Sequence, residues 1–188
     1  MTTFTPQEII LKNGATVLIR PALASDAQPL IHLIQAYILD SEHLLLTTEE
    51  YQPTEAQQEA WIASFENSKN SLLLVAEYEG RLIGNIDLNG SPRHKLRHTA
   101  MVGMGMLLAW RNTGLGTAML NAAVSWATAH PLLERLWLQV YHNNEAGIAL
   151  YHKCGFKEEG RQPEFIKVRE GVYADNILMA RSVSSAQA

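Results

Sequence analysis

The fold turns on the reading of Met101 to Thr117, MVGMGMLLAWRNTGLGT, where an apolar run with two interior glycines ends in a basic, glycine-punctuated turn. Val102 to Leu108 has the length and apolar continuity of a buried strand. Leu115, Met119, Leu120, Ala123, Val124 and Ala127 then recur at the spacing of a helix stripe. The residues between them, Arg111-Asn112-Thr113-Gly114-Leu115-Gly116, make a strand-to-helix turn. Gly114 and Gly116 remove side chains where the backbone bends, which leaves the first N–H groups of the helix unpaired with the positive end of its dipole behind them. Such a turn suits an anion of the size of a diphosphate. Two familiar phosphate loops do not fit. A dinucleotide fingerprint needs glycine at position 119, which is Met119, and a P-loop needs Lys before the Ser/Thr, whereas Thr117 directly follows Gly116.

Outward from this stretch, composition narrows the class. The 188 residues suffice for one domain with a sizeable core, and 47% hydrophobic with 18% charged residues is a globular balance. A net charge of −4 argues against a general nucleic-acid partner. No apolar stretch reaches bilayer length and the first residues carry no leader pattern, so no membrane partner is expected and a cytoplasmic location is the expectation. Cys154 is the only cysteine, which excludes an internal disulfide, and it reads as buried filler.

Along the chain, residues before Asn13 read as an irregular lead-in. Thr16 to Arg20 reads as a first strand at a sheet edge, closed by Pro21. Ser25 or Asp26 is placed to cap a helix carrying Leu30, Leu33, Ile34 and Tyr37. Residues 40–54, with Asp40, Glu42, Glu49 and Glu50 around a Leu triplet, form a connection with candidate substrate contacts. Thr54 caps a second helix that buries Trp61, Ile62 and Phe65. Ser71 to Tyr78 and Arg81 to Leu88 pair through a Glu79-Gly80 turn. A basic loop, Arg93 to His98, leads into the central strand. Leu136 to Tyr141 is a further strand, Ala146 to Lys153 a short helix ended by Gly155, Phe156 begins the next strand, and Phe165 to Val168 pairs with Val172 to Ala180 around Arg169-Glu170-Gly171. There is no repeat or linker, so residues 1–188 are expected to form one domain with a core over about 16–183 and a frayed tail from Ser182. The expected class is α+β with a mixed sheet.

A second motif lies downstream of the helix. Asn143 to Phe156 reads NNEAGIALYHKCGF. With the Arg-x-x-Gly-x-Gly turn, this resembles the paired signatures of the GNAT superfamily of N-acetyltransferases, Arg/Gln-x-x-Gly-x-Gly/Ala followed by Asn-x-x-Ala-x-x-Leu-Tyr-x-x-x-Gly-Phe. Glu159-Gly160 and Met179 to Arg181 are similar to a bacterial single-domain branch that acts on amino acids and other small amines.

The resemblance implies a mixed, largely antiparallel sheet with a splayed central strand and flanking helices. It implies acetyl-CoA as cosubstrate, with the pantetheine arm along Met104, Gly105 and Met106. The diphosphate would lie on Arg111, Asn112, Thr113, Gly114, Leu115, Gly116 and Thr117, with Asn144 and Tyr151 near the reacting end. Tyr151 matches the family's general acid, a phenol protonated at neutral pH that helps the thiolate depart. Asn144 also suits an N-cap. The base is open, because Gln139 stands where some relatives carry a Glu. Glu77, Asp87 and His98 are candidates beside a water chain, and Asp87 and His98 are also the candidate substrate contacts. His94 and His98 have a ligand-like i, i+4 spacing but sit among Arg93, Lys95 and Arg97 without a third ligand, and no metal is expected. The basic loop could also meet an anionic substrate or the cofactor's 3′-phosphate. The implied reaction is direct transfer to a primary amine of a small molecule or amino acid in a ternary complex. The alternatives are a protein N-terminus as acceptor or a non-catalytic acetyl-CoA-binding module. A homodimer, common in the superfamily, leaves no legible signature.

Overall fold

The computed structural model describes residues 3–184. Eight strands form one sheet: β1 (Gln7–Ile10), β2 (Thr16–Pro21), β3 (Leu72–Tyr78), β4 (Arg81–Gly90), β5 (Thr99–Met106), β6 (Arg135–Tyr141), β7 (Lys157–Arg169) and β8 (Val172–Ser182). Their order across the sheet is β1-β2-β3-β4-β5-β6-β8-β7. Every neighbouring pair is antiparallel except β5 with β6. Four helices cover the faces: α1 (Ala27–Leu39), α2 (Glu55–Glu66), α3 (Leu115–Ala129) and α4 (Glu145–Lys153). This is the mixed, largely antiparallel α+β sheet that the sequence implies.

Strand β3 explains the layering. Its continuous apolar run, LLLVAEY, is buried because helices lie on both sides. Leu72, Leu74 and Ala76 join the core under α3 with Leu115, Met119, Leu120 and Ala123. Leu73 and Val75 face the other way, into Leu30, Leu33, Ile34 and Tyr37 of α1 and Ile62 and Phe65 of α2. Alternation along one strand thus ties two cores together.

Five expectations are corrected. The lead-in contains β1, which pairs with β2, so Thr16 to Arg20 belongs to the second strand and the sheet edge lies one strand further out. The segment QEII is mostly exposed and lacks the alternation that marks a half-buried strand, while Gly14 at φ 82° closes its turn. Neither Ser25 nor Asp26 gives α1 a side-chain cap. Asp26 instead accepts two bonds from the Arg20 guanidinium, at 2.7 and 2.9 Å, and one from Leu23 N at 2.7 Å. The central strand stops at Met106 rather than Leu108, and Leu108–Trp110 turns as a 3-10 segment. The strand expected from Phe156 and the hairpin strand expected from Phe165 are one, β7, and the last hairpin therefore begins at Lys157. Its first half is charged and its bulges around Pro163 and Glu164 divide the pattern of this exposed edge strand in two. The tail expected to fray from Ser182 starts in order, since Ser182 closes β8 opposite Arg135 and the buried Val183 donates its N–H to Glu134 O at 2.8 Å; residues 185–188 lie outside the described residues.

Candidate functional site

The site begins with a failure of pairing. β5 and β6 run parallel, and their register holds only for Thr99 with Arg135, Ala100 with Leu136 and Met101 with Trp137. Beyond Met101 the two strands separate, although β5 continues to Met106 and β6 to Tyr141. Over residues 102–106, β5 remains paired with β4 on one side and has no strand partner on the other among the described residues. An unpaired row of N–H and C=O groups is a template for an extended, amide-bearing ligand. Met104, Gly105 and Met106 occupy this edge.

At the open end of β5 the chain turns into α3. Asn112 (φ 63°) and Gly114 (φ 98°) both take the left-handed conformation, and Gly114 occupies the N-cap position without a capping side chain. The first α-helical bond of α3 is Ala118 N to Gly114 O at 3.0 Å, so Gly116 N and Thr117 N point out of the helix start. Thr113 stiffens the turn, its hydroxyl donating to Trp110 O at 2.7 Å. Gly116 has a packing reason to lack a side chain. A Cβ there would lie 3.0 Å from both Leu150 Cδ2 of α4 and Met106 Cε of β5, so α3 starts where the two sides of the split meet. The Arg111 guanidinium turns away, donating to Asp40 O at the C-terminus of α1 at 3.1 Å.

The two interior glycines of β5 have an explanation on the opposite face. Asp87 lies directly across from Gly103 in the β4–β5 register, and a Cβ on Gly103 would come 2.6 Å from Asp87 Oδ1. A Cβ on Gly105 would fall at 2.6 Å or less from three carbons of the Tyr37 ring. The glycines therefore make a floor on which a carboxylate and a phenol rest. Around them gathers a polar group inside the α1–α2 core. Asn85 lies near Tyr37 and works against the rise of its phenol, and Tyr51 donates to Gln58 Oε1 at 2.9 Å. Asn85 Oδ1 and Gln58 Nε2 are buried without a hydrogen-bond partner among the described residues. Burial pushes the Asp87 carboxyl up to about 6 and the Tyr51 phenol up to about 12. Tyr37 is raised further, by burial first and then by the field of Asp87.

Tyr151 sits on α4, half-buried against the α3 core, its ring centroid 6.1 Å from that of Phe156. Burial alone raises its phenol to about 12. Asn144 caps α4, its Oδ1 accepting from Gly147 N at 3.0 Å. The 40–54 connection reaches across the mouth of the split. Leu44 O accepts from the Tyr141 hydroxyl of β6 at 3.2 Å, and the His43 ring meets Tyr141 edge-on at 5.7 Å. Tyr141 also packs with Ile166 and Ala174 of the β7–β8 arm.

Of the sequence candidates, Asp87 joins the split strand while the other two do not. His98 precedes β5 at its closed end, where its carbonyl accepts from Glu134 N and Arg135 N, about 17 Å along the strand from Gly103 at 3.4 Å per residue. Glu77 accepts from Arg20 Nε at 2.9 Å in the ion pairs that join β2, β3 and the start of α1. Gln139 is exposed on β6. Sequence reasoning passed over Tyr37, Tyr51, Gln58 and Asn85. The legible signal was Asn85, a polar residue two before Asp87 in the otherwise apolar run LIGNIDL.

Comparison with known proteins identifies the family and the fold. The model of the acetyltransferase (GNAT) family matches residues 37–156. An acetyltransferase of the GNAT family from Streptococcus pneumoniae superimposes with a TM-score of 0.86 at 30% identity, over 88% of this chain and 99% of that one. The L-amino acid N-acetyltransferase AaaT of Escherichia coli is 29% identical over 108 residues, which span 57% of this chain and 66% of AaaT. A phosphinothricin acetyltransferase from Sinorhizobium meliloti, solved in complex with acetyl-CoA, shares the fold with a TM-score of 0.76 at 22% identity, over 89% of each chain. The chain belongs to the acetyltransferase (GNAT) family.

Proposed function

We propose that the protein transfers the acetyl group of acetyl-CoA directly to the primary amine of an amino acid or another small molecule, with both substrates bound together. The observation that carries this reading is the Asp87 carboxylate resting on Gly103 of the strand whose other edge is unpaired. An acid-base group and a template for an extended amide chain thereby share one strand.

The residues present fit acetyl-CoA. The free edge at Met104 to Met106 suits the two amides of a pantetheine arm, and the outward N–H groups of Gly116 and Thr117 suit a diphosphate. Acetyl-CoA supplies an acyl group activated as a thioester. Asp87 at about 6 is mostly ionised at neutral pH, yet basic enough to take a proton from an amine whose free pKa is near 10. Tyr151 at about 12 stays protonated throughout this range. It is a weaker acid than a thiol near 8.5, so its part is to donate a hydrogen bond to the departing sulfur. Asn144, its oxygen held by Gly147 N, keeps an amide nitrogen for the same region.

The likeness to AaaT supports an amino-acid acceptor. The connection tied to Tyr141 also supports a small acceptor, since it crosses the mouth of the split where a polypeptide chain would have to enter. Release of free thiol from acetyl-CoA, measured against panels of amino acids, polyamines, aminoglycosides and short peptides, tests the reading. Release with amino acids or another small amine is expected. Release with peptides only moves the acceptor to a protein N-terminus, and none with any amine removes the transferase reading.

A further inference from the structure

The diphosphate turn has a neighbour that the motif does not contain. Lys12 lies in the tight turn between β1 and β2, which is closed by Gly14 N to Leu11 O at 3.0 Å and Leu11 N to Ala15 O at 2.9 Å. Leu11 is buried and fixes this turn to the core. The Lys12 backbone N donates to Thr113 O at 3.0 Å, which docks the turn on the start of α3. Its side chain then runs over Gly114. Lys12 Cγ, Cε and Cδ lie 3.6, 3.9 and 4.0 Å from the point a Gly114 Cβ would occupy. Lys12 is exposed and has no ion-pair partner among the described residues.

The cation inside the motif is placed otherwise. Arg111 spends its guanidinium on the carbonyl of Asp40, where a positive charge complements the C-terminal end of the α1 dipole. The turn thus presents backbone N–H groups from α3 and one uncommitted ammonium from a distant hairpin. A doubly charged diphosphate on two or three backbone donors leaves negative charge uncompensated, and a nearby lysine neutralises it as a point charge.

Building on the acetyl-CoA reading, we infer that Lys12, rather than Arg111, supplies the side-chain charge that holds the cofactor's phosphates. The β1–β2 hairpin is then part of the cofactor site, and Arg111 is a positioning residue that ties the turn to α1.

Calorimetric titration of CoA into the full chain and its variants tests this, read as Kd at two ionic strengths and accompanied by Tm. Lys12→Gln is expected to weaken CoA binding about tenfold, reduce the salt dependence of Kd and leave Tm unchanged. Lys12→Arg restores the affinity. Arg111→Gln, which breaks the Asp40 contact, lowers Tm and weakens CoA less than Lys12→Gln does. Wild-type affinity in Lys12→Gln, or a larger loss in Arg111→Gln, overturns the assignment while the acetyl-CoA reading stands. A wild-type chain that binds no CoA overturns that reading, and this inference with it.

Discussion

The two sides of strand β5 are built on opposite principles. Toward α3, the site consists of backbone: an unpaired strand edge, two left-handed residues at Asn112 and Gly114, and the free N–H groups of a helix start. Toward α1, it consists of side chains, with Asp87 and Tyr37 lying on glycines that leave them room, and Asn85, Tyr51 and Gln58 behind them. A backbone site recognises what every acyl-CoA has in common, its amides and phosphates. A side-chain site recognises what differs between acceptors. On the proposed reading, the constant substrate and the variable one meet different chemistries of a single strand.

On this division, substitutions in the turn that opens α3 change CoA affinity, and those at Asp87, at Tyr151 or on the α1 side change turnover or acceptor affinity with CoA binding intact. The largest effect is expected from Gly114→Glu. It forces a side chain onto φ 98° and brings a negative charge to the anion turn, and calorimetry should register no CoA binding in a chain that still folds. Retained binding would place the phosphate site elsewhere.

Asp87→Asn comes next. Removing the base should lower kcat by about 10²-fold or more with CoA Kd unchanged. In the wild type, kcat/KM should fall as pH drops through about 6, as Asp87 takes up its proton, and the variant should lose that limb. Stability moves the other way. Because the folded pKa of Asp87 is raised, the folded state binds this proton more tightly than the unfolded chain does, and stability falls as pH rises from about 4 to about 6. Asparagine removes the cost of the buried charge, so Asp87→Asn should gain about 1–3 kcal/mol at pH 7 by denaturant titration, an order-of-magnitude figure from the shift. A variant that loses turnover and stability together would mark Asp87 as structural.

Tyr151→Phe removes a donor without removing the ring, and should lower kcat at least tenfold while CoA Kd stays within about twofold. Unchanged turnover would take Tyr151 out of the mechanism. The smallest effect belongs to Tyr141→Phe, which deletes only the bond to Leu44 O. Acceptor KM should rise about threefold to tenfold as the 40–54 connection loosens, a loss of about 0.5–1.5 kcal/mol, with CoA Kd fixed. A change in CoA Kd here would mean that the two sides of β5 are coupled.

The same division explains what could be read in advance. The turn and helix of residues 111–129 were legible because glycine spacing and an apolar stripe act over a few neighbouring residues. So were the α4 motif and the capped start of α2, where Thr54 Oγ1 accepts from Gln57 N at 3.3 Å. Asp87 could be nominated because an acid at a strand end is visible, but nothing local ranked it above Glu77 or His98. Arg20 removes Glu77 from contention, and the closed end of β5 removes His98. Tyr37 read as one more core position of α1, since helical periodicity reports that a residue is buried and not what its hydroxyl meets. The strand β1 was concealed because an exposed edge strand needs no hydrophobic alternation, and with it went Lys12.

By itself the sequence determined the family, the α+β class, the glycine turn into α3 and the helix α4 that carries Tyr151, all properties that short-range spacing and backbone conformation dictate. Only the tertiary structure decided that β5 parts from β6 after Met101, that Gly103 and Gly105 are glycines because Asp87 and Tyr37 lie on them, and that Lys12 stands over Gly114 while Arg111 turns to α1. These facts join residues many positions apart. The packing of two cores on one sheet sets them, and no pattern along the chain encodes which distant side chain arrives.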